Sequence, residues 1–296
     1  MAADSPPTIA PAAAARWERA TPAASPWLHE EVGRRMEERL EWIKRAPTTW
    51  ADWQPLRGGL EAHARVARRY PDARVHVVEP QAHHASTSKA ALAKPWWRRL
   101  GGPGVEFAEP PAGSMQMVWA NMLLHMAADP QALMAQWHQA LEVDGFLMFS
   151  CLGPDTLREL RELHASLDWP PPAHEFTDMH DWGDMLVHGG FAEPVMDMER
   201  ITLSFPTPAR LLQELRGLGA NLHPARFPAL RGRTWKASLE RALEKRRGPG
   251  GELALTFEII YGHALKPVPR AKLSEHSAVS LQDMRAMLQA DKRARE

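Results

Sequence analysis

The sequence predicts a doubly wound α/β domain with a mostly parallel sheet and helical insertions, and three observations carry that prediction. From about residue 49 to residue 167, short apolar runs alternate with amphipathic helical stretches. Parallel strands covered on both faces read as such runs, and right-handed crossovers then lay helices on both sides. Residues 48–80, TTWADWQPLRGGLEAHARVARRYPDARVHVVEP, have the outline of a nucleotide-binding strand–loop–helix–strand that closes on an acid, Glu79. The 296 residues suffice to bury a sizeable core in one large domain or two small ones.

Taken in order, residues 1–24 are alanine, proline and small polar residues, too poor in large apolar groups to offset the entropy of ordering, and are expected to form a disordered arm. Ser25-Pro26 reads as an N-cap followed by proline at the first helical position. Leu28, Val32, Met36, Leu40 and Ile43 then make one apolar stripe, which Pro47 ends. The alternation that follows predicts a strand at 49–53, a helix at 59–69, a strand at 73–78 and a helix or loop at 82–100. It continues with strands at 105–109 and 115–122, a helix at 130–142, a strand at 146–151 and a helix at 155–167. Asp178 caps a further helix that Gly189-Gly190 stops. RITLSF and LALTFEIIYGHAL are strands by their β-branched content, with helices at 207–219 and 233–247 between them. A single domain over 25–268 is therefore expected, with a mobile polar tail at 269–296.

Composition excludes several functions. The 36 basic and 36 acidic residues balance, which argues against a protein that coats nucleic acid. One cysteine, Cys151, rules out an internal disulfide framework and a cysteine-based zinc site and fits a reducing compartment, so the cytoplasm is expected. The opening residues have neither a basic start nor a continuous apolar core, so no signal peptide is expected, and no apolar run is long enough to span a membrane. His83, His84, His174 and His180 lack metal-ligand spacing, and no metal site is expected.

The segment VWANMLLHMAADPQALMAQWHQALEVDGFLMFSCLGPDTLRELRE, 118–162, resembles the class I S-adenosylmethionine-dependent methyltransferases. Within them it is most similar to the malonyl-[acyl-carrier protein] O-methyltransferases of biotin synthesis. The resemblance rests on Trp119 to Asn121, on the Leu141 to Gly145 turn and on Leu152 to Leu160. FTDMHDWGDMLVHGGFAEPVMDMERITL at 176–203 and TFEIIYGHALKP at 256–267 extend it, and a weaker match opens near residue 16. The resemblance implies a Rossmann-like fold, S-adenosylmethionine as cofactor, and methylation of the free carboxylate of a malonyl-acyl-carrier protein.

Carried over residue by residue, the family's glycine-rich cofactor loop falls on Asp52, Trp53, Gln54, Pro55, Leu56, Arg57 and Gly58, of which only Asp52 and Gly58 match. Glycines serve such a loop because the backbone must come close to the ligand. Glu79 is in place for the ribose hydroxyls, Glu109 stands in for the adenine-side acid, and Gln116 replaces an aspartate of the family. The only tyrosines are Tyr70 and Tyr261, away from the N-terminal position where the family carries one. Asn121, which follows the fourth strand at the edge where open α/β sheets hold ligands, and Arg158, the choice by position for the cation that holds the malonyl group, are the catalytic candidates; the bland alternative for Arg158 is a pair with Glu162. His125 and Cys151 read as core. Eight basic residues against two acidic ones between Arg226 and Arg247 suit an acidic carrier protein, or simply make a solvated helix face. Two readings stay open: a working methyltransferase whose lost loop contacts are replaced by others, and a non-catalytic paralogue with impaired cofactor binding that acts through protein partners.

Overall fold

The computed structural model describes residues 9–20, 22, 24–93 and 104–269. Its centre is a seven-stranded sheet made of β1 (Thr49–Trp53), β2 (Arg74–Val78), β3 (Val105–Glu106), β4 (Met115–Ala120), β5 (Leu141–Leu152), β6 (Ala192–Phe205) and β7 (Leu253–Leu265). The order across the sheet is β3-β2-β1-β4-β5-β7-β6. β1 to β5 pair in parallel, while β7 runs antiparallel to both β5 and β6. This is the doubly wound sheet that the alternation predicts, and its order reverses at β1, where the crevice for a ligand opens.

The period of two along β1 shows how both faces are covered. Trp50 packs with Leu28, Val32 and Met36 of α2 (Trp27–Arg39) and Val66 of α4 (Leu60–Arg69). Ala51 and Trp53 face the other way, toward Met134 and Trp137 of α6 (Pro130–Ala140) and Trp182 and Leu186 of α8 (Met179–His188). α2 and α4 approach so closely that a Cβ on Gly33 would stand 2.4 Å from the Cβ of Ala62, and any side chain there would push the helices apart. Proline and cap chemistry starts the helices where the sequence says. Asp129 accepts from Ala132 N at 2.8 Å ahead of α6, Asp178 from His180 N at 2.7 Å ahead of α8, and Thr207 from Arg210 N at 3.2 Å ahead of α9 (Pro208–Leu218).

Three expectations are corrected. Ser25 is not the cap of α2: Pro26 holds that position, and Ser25 Oγ instead donates to Leu56 O and accepts from Leu60 N, both at 3.1 Å. A contact to the loop after β1 has outcompeted the local one. Residues 11–19, inside the arm expected to be disordered, form helix α1 (Pro11–Arg19). Its small face suits a shallow site, where Ile9, Ala13 and Ala14 pack on Met126 and Leu222, and Ala10 N donates to Leu222 O at 2.8 Å. Finally β6 begins at Ala192 rather than Arg200: it is the edge strand, and its first half only alternates half-buried with exposed positions, so it lacks a continuous apolar run. The predicted segment 94–100 and the tail after Pro269 lie outside the described residues.

Candidate functional site

A cleft of about 340 Å³ opens at the C-terminal ends of β1, β2 and β4, where open α/β sheets bind ligands. Trp53, Val78, Met122 and Leu133 give it apolar walls, Glu18, Glu109 and Asp129 bring carboxylates, and Arg57 is the one arginine or lysine among its lining residues.

The loop after β1 has its own construction. Gln54 adopts the left-handed region with φ of 55°, which lets the chain turn straight into a one-turn helix, α3 (Pro55–Gly58). That turn buries Leu56 and Arg57. Gly58 packs against the end of β4, where a Cβ would meet the backbone oxygen of Asn121 at 2.8 Å. Leu56 N donates to Glu79 Oε1 at 3.0 Å and Ser88 Oγ donates to the same oxygen at 2.8 Å, whereas Glu79 Oε2 is buried with no hydrogen-bond partner among the described residues. Burial pushes the Glu79 carboxyl up, and the two donors pull the other way.

Arg57 reaches back to α1. Its Nη2 donates to the carbonyls of Trp17 and Ala20, its guanidinium lies over the Trp17 ring at 4.0 Å, and its Nη1 is buried without a partner among the described residues. His84 Nε2 donates to the same Ala20 carbonyl at 3.0 Å, so α5 (Ala82–Ala91) holds the end of α1 as well. His29 of α2 lines the cleft with Nδ1–H donating to Arg57 O at 2.8 Å. Burial, assisted by the Arg57 charge, lowers its pKa to about 4.

Among the residues singled out by sequence, Glu109 lines the cleft and Glu79 stands between the cleft-lining Val78 and Pro80. Asp52 is buried beneath it, accepting from His63 Nδ1 at 2.8 Å. Asn121 is a buried hub: its Nδ2 donates to His29 O at 2.8 Å and to Gly58 O, and its Oδ1 accepts from Ser150 Oγ at 2.6 Å. Every polar atom of that side chain is thus engaged in tying α2, the β1 loop and β5 together. Arg158, at the start of α7 (Arg158–Ser166), is half exposed, pairs with Glu159 at 3.3 Å rather than Glu162, and is not among the residues that line the cleft. Gln116 Oε1 accepts from Thr48 N at 2.7 Å, a structural contact. Cys151 is buried in β5 with its thiol pushed up by burial, as a core residue should be. Trp17, His29 and Gln136 line the cleft without having been found by sequence. Trp17 had a signal, as the one aromatic residue of residues 1–24.

Beside the cleft, and sharing Met126 and Leu218 with it, lies a cavity of about 110 Å³ between α7, α9 and the strand ends. Leu157, Leu160, Phe176 and Phe257 line it together with His125 and His174. His174 Nε2 donates to His125 O at 2.8 Å, and burial lowers the pKa of both rings, that of His125 the further.

Comparison with known proteins gives a consistent picture. The malonyl-[acyl-carrier protein] O-methyltransferase of Gallionella capsiferriformans is 40% identical over 257 residues, covering 83% of this chain and 87% of that protein. The protein of the same name from Laribacter hongkongensis is 38% identical over 282 residues, 89% of this chain and 90% of its own. Among solved structures, the YcgJ protein of Bacillus subtilis superposes with a TM-score of 0.53 at 12% identity, over 80% of this chain and 99% of that one. A putative methyltransferase of Bacillus halodurans gives 0.52 at 13% identity, over 78% and 99%. At that identity the likeness is one of fold. No family model matches the chain.

Proposed function

The chain belongs to the malonyl-[acyl-carrier protein] O-methyltransferase family, and from that premise we propose that it binds S-adenosylmethionine in the cleft beside β1, β2 and β4 and methylates the free carboxylate of a malonyl thioester on an acyl-carrier protein. The observation that carries the reading is Glu79 Oε2. A buried carboxylate oxygen without a partner is costly, and at the end of β2, beside a cleft of cofactor size, it suits a ribose hydroxyl. Glu109 and the apolar walls of Trp53, Val78 and Leu133 suit the base, so the residues present fit the cofactor. When bound, it supplies a methyl group on a positively charged sulfur.

The rest of the chemistry asks little of the protein. A carboxylate with a pKa of about 4 is already ionised at neutral pH and needs no general base. His29 agrees with this, for it is held neutral by burial, and its Nδ1–H is committed to Arg57 O. What the protein has to provide is alignment and exclusion of water, and Met122, Leu123 and Met126 make that part of the cleft apolar. The paralogue reading draws on the substituted loop alone. Calorimetric titration with S-adenosylmethionine, followed by mass spectrometry of malonyl-carrier protein for a transferred methyl group, decides between the two. We expect binding and transfer. Weak or absent binding overturns the cofactor reading and supports the paralogue, and binding without transfer overturns the assignment of the acceptor.

A further inference from the structure

The loop after β1 has no backbone donor left for an anion. Gln54 N donates to Val78 O, Leu56 N to Glu79 Oε1, Arg57 N and Gly58 N to Gln54 O, and Gly59 N to Pro55 O, while Pro55 has no N–H. The N-terminus of α4, the next place where free N–H groups would gather, is filled from within the chain. Leu60 N donates to Ser25 Oγ, and Glu61 N and Ala62 N donate to the two oxygens of Glu30 at 3.1 and 2.8 Å. A negatively charged ligand group in this cleft has to be met by a side chain.

The side chain available is Arg57. It is 7% exposed and forms no salt bridge among the described residues; burial lowers its pKa, and the nearby charges of Glu79 and Glu18 oppose that only in part. Buried charges are ordinarily paired, because desolvating a lone cation is expensive. Two carbonyls hold Nη2 and the Trp17 ring fixes the guanidinium plane, so the group is rigid, and the undonated Nη1 belongs to a residue of the cleft wall.

We propose that Arg57, which stands where the family's loop is glycine-rich, takes over anion binding from the lost backbone donors, its Nη1 receiving the α-carboxylate of S-adenosylmethionine while Nη2 pins α1 beside the cleft. The α-carboxylate is the only anionic group of that cofactor at neutral pH, and a planar guanidinium is the donor best matched to it. The substitution that removes the glycines thus also supplies a charge. The proposal rests on the cofactor reading above, and the following experiment separates the two.

The full chain is titrated calorimetrically with S-adenosylhomocysteine, with its carboxyl methyl ester, and with 5′-methylthioadenosine, which keeps the nucleoside and sulfur but has no amino-acid arm. In the parent protein the ester should bind about 10- to 100-fold more weakly than the acid, the range for one hydrogen bond to a charged group. Arg57→Gln should lose the same factor for the acid, leave methylthioadenosine within about two-fold, and bind acid and ester alike. Arg57→Lys, which keeps the charge, should recover part of the loss. Equal affinity of acid and ester in the parent overturns the carboxylate contact even if no variant folds. Equal weakening of acid and methylthioadenosine in Arg57→Gln overturns it too, leaving Arg57 only its hold on α1. A parent that binds methylthioadenosine but gains nothing from the acid arm refutes Arg57 while preserving the cofactor site; a parent that binds none of the three refutes both.

Discussion

The two ends of the catalytic edge of this sheet treat buried polar groups in opposite ways. Where β5 and β7 meet α7, the polar groups form a closed network. Thr156 Oγ1 donates to Glu258 O and accepts from Glu258 N, Asp155 N donates to Glu258 Oε2 at 2.8 Å, Leu157 N donates to Thr256 O at 2.7 Å, and Thr256 returns two bonds to Glu159. At β1 and β2, Glu79 Oε2 and Arg57 Nη1 are left without partners. Closed networks hold a fold together, while a buried polar atom without a partner is a cost that a ligand would offset. The difference also relocates the chemistry of the Leu152–Leu160 block. It is well matched to the family, yet here it clasps β7 to α7, and its basic residue Arg158 turns to solvent.

The strongest way to break this comparison is at Asn121, which lies next to the open end but is itself closed. Asn121→Ala removes bonds to His29 O, Gly58 O and Ser150 Oγ and leaves buried groups unpaired, so we expect a loss of about 3–5 kcal/mol in a urea titration. A loss below about 1 kcal/mol, accompanied by a large drop in methyl transfer, would instead make Asn121 a catalytic residue.

The next effect reads the burial of the cleft wall through pH. His29 has a folded pKa of about 4 against an ordinary 6.5. As pH falls the unfolded chain takes up the proton first, so stability is fully present above 6.5 and is lost progressively down to about 4. The shift corresponds to a loss on the order of 3 kcal/mol. His29→Gln should flatten that part of the profile, and an unchanged slope in the variant would show that His29 is more open to water than the structure has it.

Thr156→Val tests the closed end with the smallest change in shape. Glu258 N loses its acceptor inside a site where Thr156 is fully buried, and about 1–3 kcal/mol of stability should go with it. Affinity for S-adenosylhomocysteine should stay where it was, because this network shares no atom with the cleft. A joint fall in stability and affinity would mean that the two ends are coupled.

The contrast between the ends also explains what could be read from sequence. β1 and β7 have the bounds that their apolar runs predict, since strands buried on both faces write their burial into composition. Glu109 lines the cleft and Glu79 stands between two residues that do, because sequence spacing along a strand–helix–strand unit is nearly spatial spacing. Arg57 was legible only as a missing glycine. Its meaning depends on Trp17, 40 residues earlier, in a segment whose alanines give no periodic apolar signal. Asn121 and Arg158 matched a family pattern by position, but which polar atoms are already engaged is decided by contacts between distant elements, such as that of Asn121 with His29, 92 residues away.

The smallest effect on the fold, and the one that tests the partner, concerns a basic stretch of the surface away from the residues that line the cleft. In α10 (Arg233–Glu244) and its flanks, Lys236 pairs with Glu240, Arg246 with Glu162 and Arg247 with Glu244. Arg231 stacks on Phe227 and Trp235 at 4.3 and 4.1 Å, and Arg241 bonds only to Ala237 O and Ser238 Oγ. The local excess of positive charge therefore survives the internal pairing. Exposed charges of this kind add little to stability but steer an acidic partner over distances longer than a contact. Reversing Arg241, Lys245 and Arg246 to glutamate should leave the unfolding free energy from a urea titration within about 0.5 kcal/mol of the parent. It should also weaken the association of malonyl-carrier protein by about tenfold or more at low salt and flatten its dependence on ionic strength. If transfer to a small malonyl thioester is kept while transfer to the carrier-bound substrate falls, the patch is a docking surface distinct from the cleft. If both are unchanged, the charge is a solvated helix face, and the carrier protein meets the enzyme elsewhere.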